Sequence, residues 1–172
     1  MNTETRRSSR AFTLAELLVA VSLIGLLAAL SMDIGSKEIQ RTRVNALSIE
    51  LAGWLENVRR AALRGTSCTA TINTGNINAG GTIATASASN CLPASPLKIN
   101  GDDSRMKFTV TSTASSVTYT PRGSRYPTGT DITITLTLQP DGPSRCVIIR
   151  GLLGVIGLGK SSGGTCTPDQ RF

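Results

Sequence analysis

The sequence predicts an α+β protein, a long N-terminal helix followed by a small β-rich head. Three observations carry that reading. Apolar residues recur at helical spacing from residue 12 into the sixties, with no proline before residue 93. After Gly65 the pattern changes to short runs rich in Thr, Val and Ile, the residues that suit a half-buried pleated surface. All four cysteines fall in this second part.

Residues 1–11 are polar and basic, with Arg6, Arg7 and Arg10 standing against Glu4. At Phe12 an apolar run begins abruptly, FTLAELLVAVSLIGLLAAL, about as long as a hydrocarbon core is thick at ~1.5 Å of rise per residue. It outruns the ~7–15 apolar residues of a secretory signal. It also holds Glu16, a carboxylate that is expensive in lipid without a partner. The arginines before the run place its N-terminus on the cytoplasmic side and the head outside.

Three segments are therefore expected ahead of the head: a leader 1–11, a transmembrane or filament-core helix 12–35, and an amphipathic continuation 36–64. In the continuation Leu47, Leu51, Trp54, Leu55, Val58 and Ala62 share one stripe, while Glu50, Glu56, Arg59 and Arg60 occupy other faces. Gly65, directly after Arg64, is the expected stop. Asp33 and Gly35 make Ser31–Ser36 the weakest stretch of the helix.

The head, 65–172, reads as strands at 68–73, 82–86, 107–110, 117–120, 132–138, 146–150 and 155–158. Alternation is clearest from Ile132 to Leu138, with Ile and Leu on one face and Thr on the other. Pro121-Arg122-Gly123 and Pro140-Asp141-Gly142-Pro143 are turn signals. The Gly-, Ser- and Asn-rich segments 74–106 and 159–172 are expected to be loops, and the glycines of 151–159 to permit a bend and close strand packing.

Cys68, Cys91, Cys146 and Cys166 allow three disulfide pairings, and sequence locality favours Cys68–Cys91 with Cys146–Cys166. No Cys-x-x-Cys pair and no histidine occur, so metal-site spacing is missing and neither a metal nor another cofactor is expected. The same lack of a histidine base, and of phosphate-loop spacing among the glycines, argues against an enzyme. The net charge is +7, of which the leader supplies +2. A basic head suits a polyanion or an anionic lipid surface, and equally suits simple solubility. Arg122, Arg125, Arg145, Arg150 and Lys160 are the candidate DNA-binding residues, with contact expected to be non-specific and salt-dependent.

Arg10-Ala-Phe-Thr-Leu-Ala-Glu16, with the apolar run behind it, resembles the cleavage and methylation site of type IV prepilins. The resemblance implies a prepilin peptidase that cuts between Ala11 and Phe12 and methylates the new amine of Phe12. Glu16 is then the fifth mature residue, the position of the family's assembly carboxylate. Buried in a filament core, that carboxylate can pair with the Phe12 ammonium of a neighbouring subunit and so set register. Ala11 stands where prepilins usually have Gly, and Asp33 where major pilins often have a helical proline.

Val117-Thr-Tyr-Thr-Pro-Arg-Gly123, the alternating strand and Cys146-Val-Ile-Ile-Arg-Gly151 are similar to the head of GspH/FimT-like minor pilins and pseudopilins. The resemblance implies two packed antiparallel sheets against the end of the long helix, and an inner-membrane, single-pass protein with a periplasmic head. Its partners would be other pilins in a helical filament. Two functions stay open: a minor type IV pilin, with a further role in DNA uptake, or a minor pseudopilin of a type II secretion system. The DNA-binding Gly-Arg-x-Arg motif of some relatives would fall at Gly157–Lys160, where only Lys160 supplies a cation.

Overall fold

The structure, a computed structural model, describes residues 13–87, 91, 96–101, 106–126 and 128–169, apart from the side chains of 30–34. It begins with helix α1 (Leu14–Ala62). Among the described residues eleven strands follow: β1 (Cys68–Ile72), β2 (Gly75–Asn78), β3 (Thr82–Ala86), β4 (Leu97–Lys98), β5 (Lys107–Ser112), β6 (Ser116–Tyr119), β7 (Arg125–Tyr126), β8 (Ile132–Gln139), β9 (Ser144–Arg150), β10 (Val155–Ser162) and β11 (Thr165–Pro168). The chain divides into two compact units, one ending at Glu38 and the other beginning at Ile39.

In the first unit the side chains of 14–29 are all exposed, although nearly all are apolar. Among the described residues no helix is long and apolar enough to cross a membrane. The span expected over 12–35 reaches past them, at Phe12 and at the side chains of 30–34.

The second unit is the head. Within it Val44, Leu47, Leu51, Leu55, Val58 and Ala62 are buried at helical spacing, with Trp54 beside them, which is the predicted stripe extended back to Val44. The helix closes through tight turns, Arg64 N–H to the Ala61 carbonyl and Gly65 N–H to that of Ala62, both 3.1 Å. Gly65 has φ +114°, a conformation side chains resist, so the expected stop lies where a glycine is needed.

Five strands form one antiparallel sheet in the order β4-β3-β1-β6-β7, and six form the other in the order β11-β10-β9-β8-β5-β2. In β8 burial alternates strictly: Ile132, Ile134, Leu136 and Leu138 point inward and the threonines between them outward. In register with them lie Ile149 and Val147 on β9, and Val110 and Phe108 on β5. These residues, the helix stripe, and Ala70, Ile83, Val117 and Tyr119 of the other sheet make one continuous core.

The seven predicted strands are present, several of them longer than expected. Both predicted turns are formed: Gly123 N–H bonds the Thr120 carbonyl at 2.9 Å, and Gly142 N–H that of Leu138 at 2.9 Å. The expectation of loops over 74–106 and 159–172 is corrected. Strands β2 and β4 lie in the first segment, and β10 runs on into the second, where β11 pairs with it. Neighbouring strands supply the hydrogen bonds that make these polar, glycine-containing stretches extended.

Candidate functional site

Ala11 and Phe12, the expected cleavage and methylation site, lie outside the described residues. The helix start beside them is built as a reciprocal cap. Glu16 N–H donates to Thr13 Oγ1 at 3.3 Å, while Thr13 donates to Glu16 Oε2 from its N–H at 3.1 Å and its hydroxyl at 3.0 Å. This is a capping box: a hydroxyl residue and a glutamate three positions later satisfy each other's orphan backbone donors. Glu16 thus has a local structural task, shared with Thr13. The signal was present as Thr-Leu-Ala-Glu. Both described bonds from Thr13 go to Oε2.

All four cysteines are paired, in the pattern that locality favours: Cys68–Cys91, 23 residues apart, and Cys146–Cys166, 20 apart. The second bridge passes close to Gly159 on β10. A Cβ there would sit 2.5 Å from the Thr167 carbonyl oxygen and 3.0 and 3.1 Å from the two sulfurs. Only a glycine lets the bridge and β11 approach so closely.

The five candidate DNA-binding cations do not form one exposed set. Arg125 is 1% exposed; its Nε donates to the Gly151 carbonyl at 2.7 Å and its Nη2 to that of Thr130 at 2.5 Å. It is a core residue that ties two loops to β7. The Arg145 side chain is 13% exposed, donates from Nε to Asn45 Oδ1 on the helix, and has Nη1 3.9 Å from Asp169 Oδ2. Lys160 projects further but reaches the same carboxylate at 2.5 Å. Arg122 and Arg150 remain exposed, one in the β6–β7 turn and one at the end of β9. Gly157–Lys160 belongs to β10, so the segment aligned with the Gly-Arg-x-Arg motif is a strand.

Beside Arg125, Tyr119 is fully buried, and among the described residues its hydroxyl has no hydrogen-bond partner. Burial holds its phenol pKa well above the ordinary value. The outer face of the larger sheet carries a trough of about 250 Å³ lined by Thr111, Thr133 and Thr135 with Gly164 and Cys166. Its wall is hydroxyl-rich and uncharged, and it gathers none of the candidate cations. Among the described residues no group of His, Cys, Asp and Glu could hold a metal ion.

Residues 6–32 match the family described as the prokaryotic N-terminal methylation motif. Among solved structures the chain is similar to the type IV minor pilin FimU of Pseudomonas aeruginosa strain PAO1. That match has 17% identity and a TM-score of 0.46, and covers 74% of this chain and 94% of that one. No curated protein matches the chain. Residues 50–152, from the second half of α1 through the β9–β10 turn, match the family described as type II transport protein GspH. The chain belongs to the GspH family.

Proposed function

We propose that the chain is a minor subunit of a filament of the type IV pilus class. It is made as an inner-membrane precursor spanning the bilayer through 12–35, cut between Ala11 and Phe12, and methylated on Phe12. The observation that carries this reading is the helix face over 14–29: Leu17, Leu18 and Val19 are 61%, 62% and 59% exposed, and Leu23, Ile24, Leu26 and Leu27 are similar. Burying a side chain of this size is worth about 1.5–3 kcal/mol, so a run apolar on every side demands cover all round. Lipid provides it in the precursor and other subunits' helices in the filament. The match of 6–32 to the methylation motif supports the same reading.

In the filament Glu16 has two oxygens to use. Oε2 closes the cap with Thr13, and Oε1 accepts the Phe12 ammonium of a neighbouring subunit. Two filaments employ such a subunit, the type IV pilus and the short filament of type II secretion. The description of the matched family as a transport protein favours the second. Of the five candidate cations for DNA contact, Arg122 and Arg150 are exposed, while Lys160, its side chain 58% exposed, is engaged by Asp169. Neutralising two phosphates gives log K a salt slope of only about −2, which supports weak, non-specific contact rather than tight capture.

The test is Glu16→Ala in cells. Membrane insertion is expected to persist while incorporation into sheared filaments falls. Normal incorporation of the variant would overturn the role given to Glu16.

A further inference from the structure

We infer that the end of the head at which the helix stops is a lipid-binding surface, where a rigid apolar turn flanked by arginines seats on an anionic bilayer. Three elements meet there: the end of α1, the β6–β7 turn and the β9–β10 turn. Gly123 packs on Leu63, where a Cβ would lie 3.2 Å from that side chain. Arg125 N–H reaches from β7 to the Leu152 carbonyl at 2.8 Å.

The apolar part is well exposed. Leu152 and Leu153 are 57% and 58% exposed, Val155 53% and Leu63 51%. A surface turn ordinarily carries polar residues, yet this one displays leucines and is fixed in place. Arg125 Nε donates to the Gly151 carbonyl at 2.7 Å. Gly151 N–H donates to Asp131 Oδ1 at 3.1 Å, and Gly154 N–H to the Gly151 carbonyl at 3.3 Å. Gly154, at φ +61°, lets the turn close onto Tyr119: a Cβ there would lie 2.9 Å from that ring. Because the buried guanidinium already orders the turn, covering its leucines costs little further entropy.

The surround is cationic. Arg150 is paired across the strands with Val155, so these two exposed side chains share one face of the hairpin. Arg122 in the β6–β7 turn and Arg64 after the helix are also exposed. The carboxylates on the same elements are engaged: Asp131 Oδ1 accepts the Gly151 N–H, and Glu56 pairs with Arg59 and Arg60 at 3.4 Å.

This combination selects the occupant. A polyanion such as DNA would meet the arginines and leave the leucines in water. A fluid bilayer receives a convex aliphatic tip without a preformed pocket. The leucines enter the acyl boundary, and the guanidinium groups stay at the level of the headgroup phosphates. Each cation close to an anionic leaflet strengthens binding about fivefold.

The experiment uses the full chain, disulfides formed, held in phosphatidylcholine nanodiscs that cover its apolar helix. It is mixed with larger vesicles of phosphatidylcholine alone, or of phosphatidylcholine and phosphatidylglycerol in equal parts. Co-flotation with the anionic vesicles is expected at least about tenfold above that with the neutral ones, and to fall as salt rises. Leu152→Asp with Leu153→Asp is expected to lower it about tenfold or more, while the urea midpoint stays that of the parent. Arg122→Ala with Arg150→Ala is expected to lower it about thirtyfold. A dye on Leu153→Cys is expected to be quenched by lipids brominated in their acyl chains. One on Asn78→Cys, at the other end of the larger sheet, is expected to stay bright. Flotation that survives the leucine change would overturn the inference, as would a dye at 153 that the bromines do not reach. Equal binding to neutral and anionic vesicles would overturn it too. Release by inorganic phosphate would assign the arginines to a free anion instead, and duplex DNA binding that needs the leucines would assign this end to nucleic acid. None of these readouts depends on whether the chain enters a filament.

Discussion

Arg125 is the residue whose assignment changes most between sequence and structure, and Arg125→Met tests the new one. The guanidinium is 1% exposed and donates to the carbonyls of Gly151 and Thr130. Hydrogen bonds from a charged donor contribute about 1.5–3 kcal/mol each, and orphaned buried carbonyls lose part of their solvation as well. Methionine fills much of the volume and removes the cost of a buried charge, so a net loss of about 3 kcal/mol is expected. With a urea m-value of about 1.5 kcal/mol/M, the unfolding midpoint of the oxidised head, residues 36–172, falls by about 2 M. Arg122→Ala and Arg150→Ala, at exposed positions, are expected to stay within about 0.5 kcal/mol of the parent. Unlike Arg125→Met, they should weaken any salt-dependent DNA binding by the folded head. A midpoint for Arg125→Met within about 0.3 M of the parent, or selective loss of DNA binding with stability intact, would refute the reasoning.

Three further predictions concern the head. Replacing either disulfide pair by alanines releases a loop of 23 or 20 residues, and each is expected to cost about 3 kcal/mol in urea unfolding, with the two losses of similar size. Tyr119→Phe removes a buried hydroxyl that has no partner among the described residues; it is expected to be neutral or to stabilise by up to about 1 kcal/mol, and a clear loss would reveal a partner. The Tyr119 pKa is raised in the fold, so above about pH 10 the unfolded chain loses this proton while the folded one keeps it. The parent should lose about 1.4 kcal/mol per pH unit there from this group, and Tyr119→Phe should lose that much less.

Much of the head is legible because burial there follows period. The Ile132–Leu138 alternation and the Leu47–Ala62 stripe each state which face is inside, and the structure buries those faces. The disulfides follow from locality because each bridge closes a neighbouring segment rather than linking distant parts of the chain. Strands β2, β4, β7 and β11 have two to four residues apiece, polar or glycine-containing, and are extended because a neighbour pairs with them. No local signal marks that. Arg125 belongs to the same class: in a two-residue strand there is no alternation to say which side faces in. The pairing of Lys160 and Arg145 with Asp169 likewise depends on β10 folding back beside β9. The Thr13–Glu16 cap is legible in its spacing, a hydroxyl residue followed three positions later by a glutamate.

The central claim, that this chain matures into a filament subunit, is tested most directly by mass spectrometry of the chain recovered from sheared filaments. The expected species is a polypeptide that begins at Phe12 and carries one methyl group on its terminal amine. A chain that still begins at Met1, is cut elsewhere, or occurs only outside the filament fraction would contradict it.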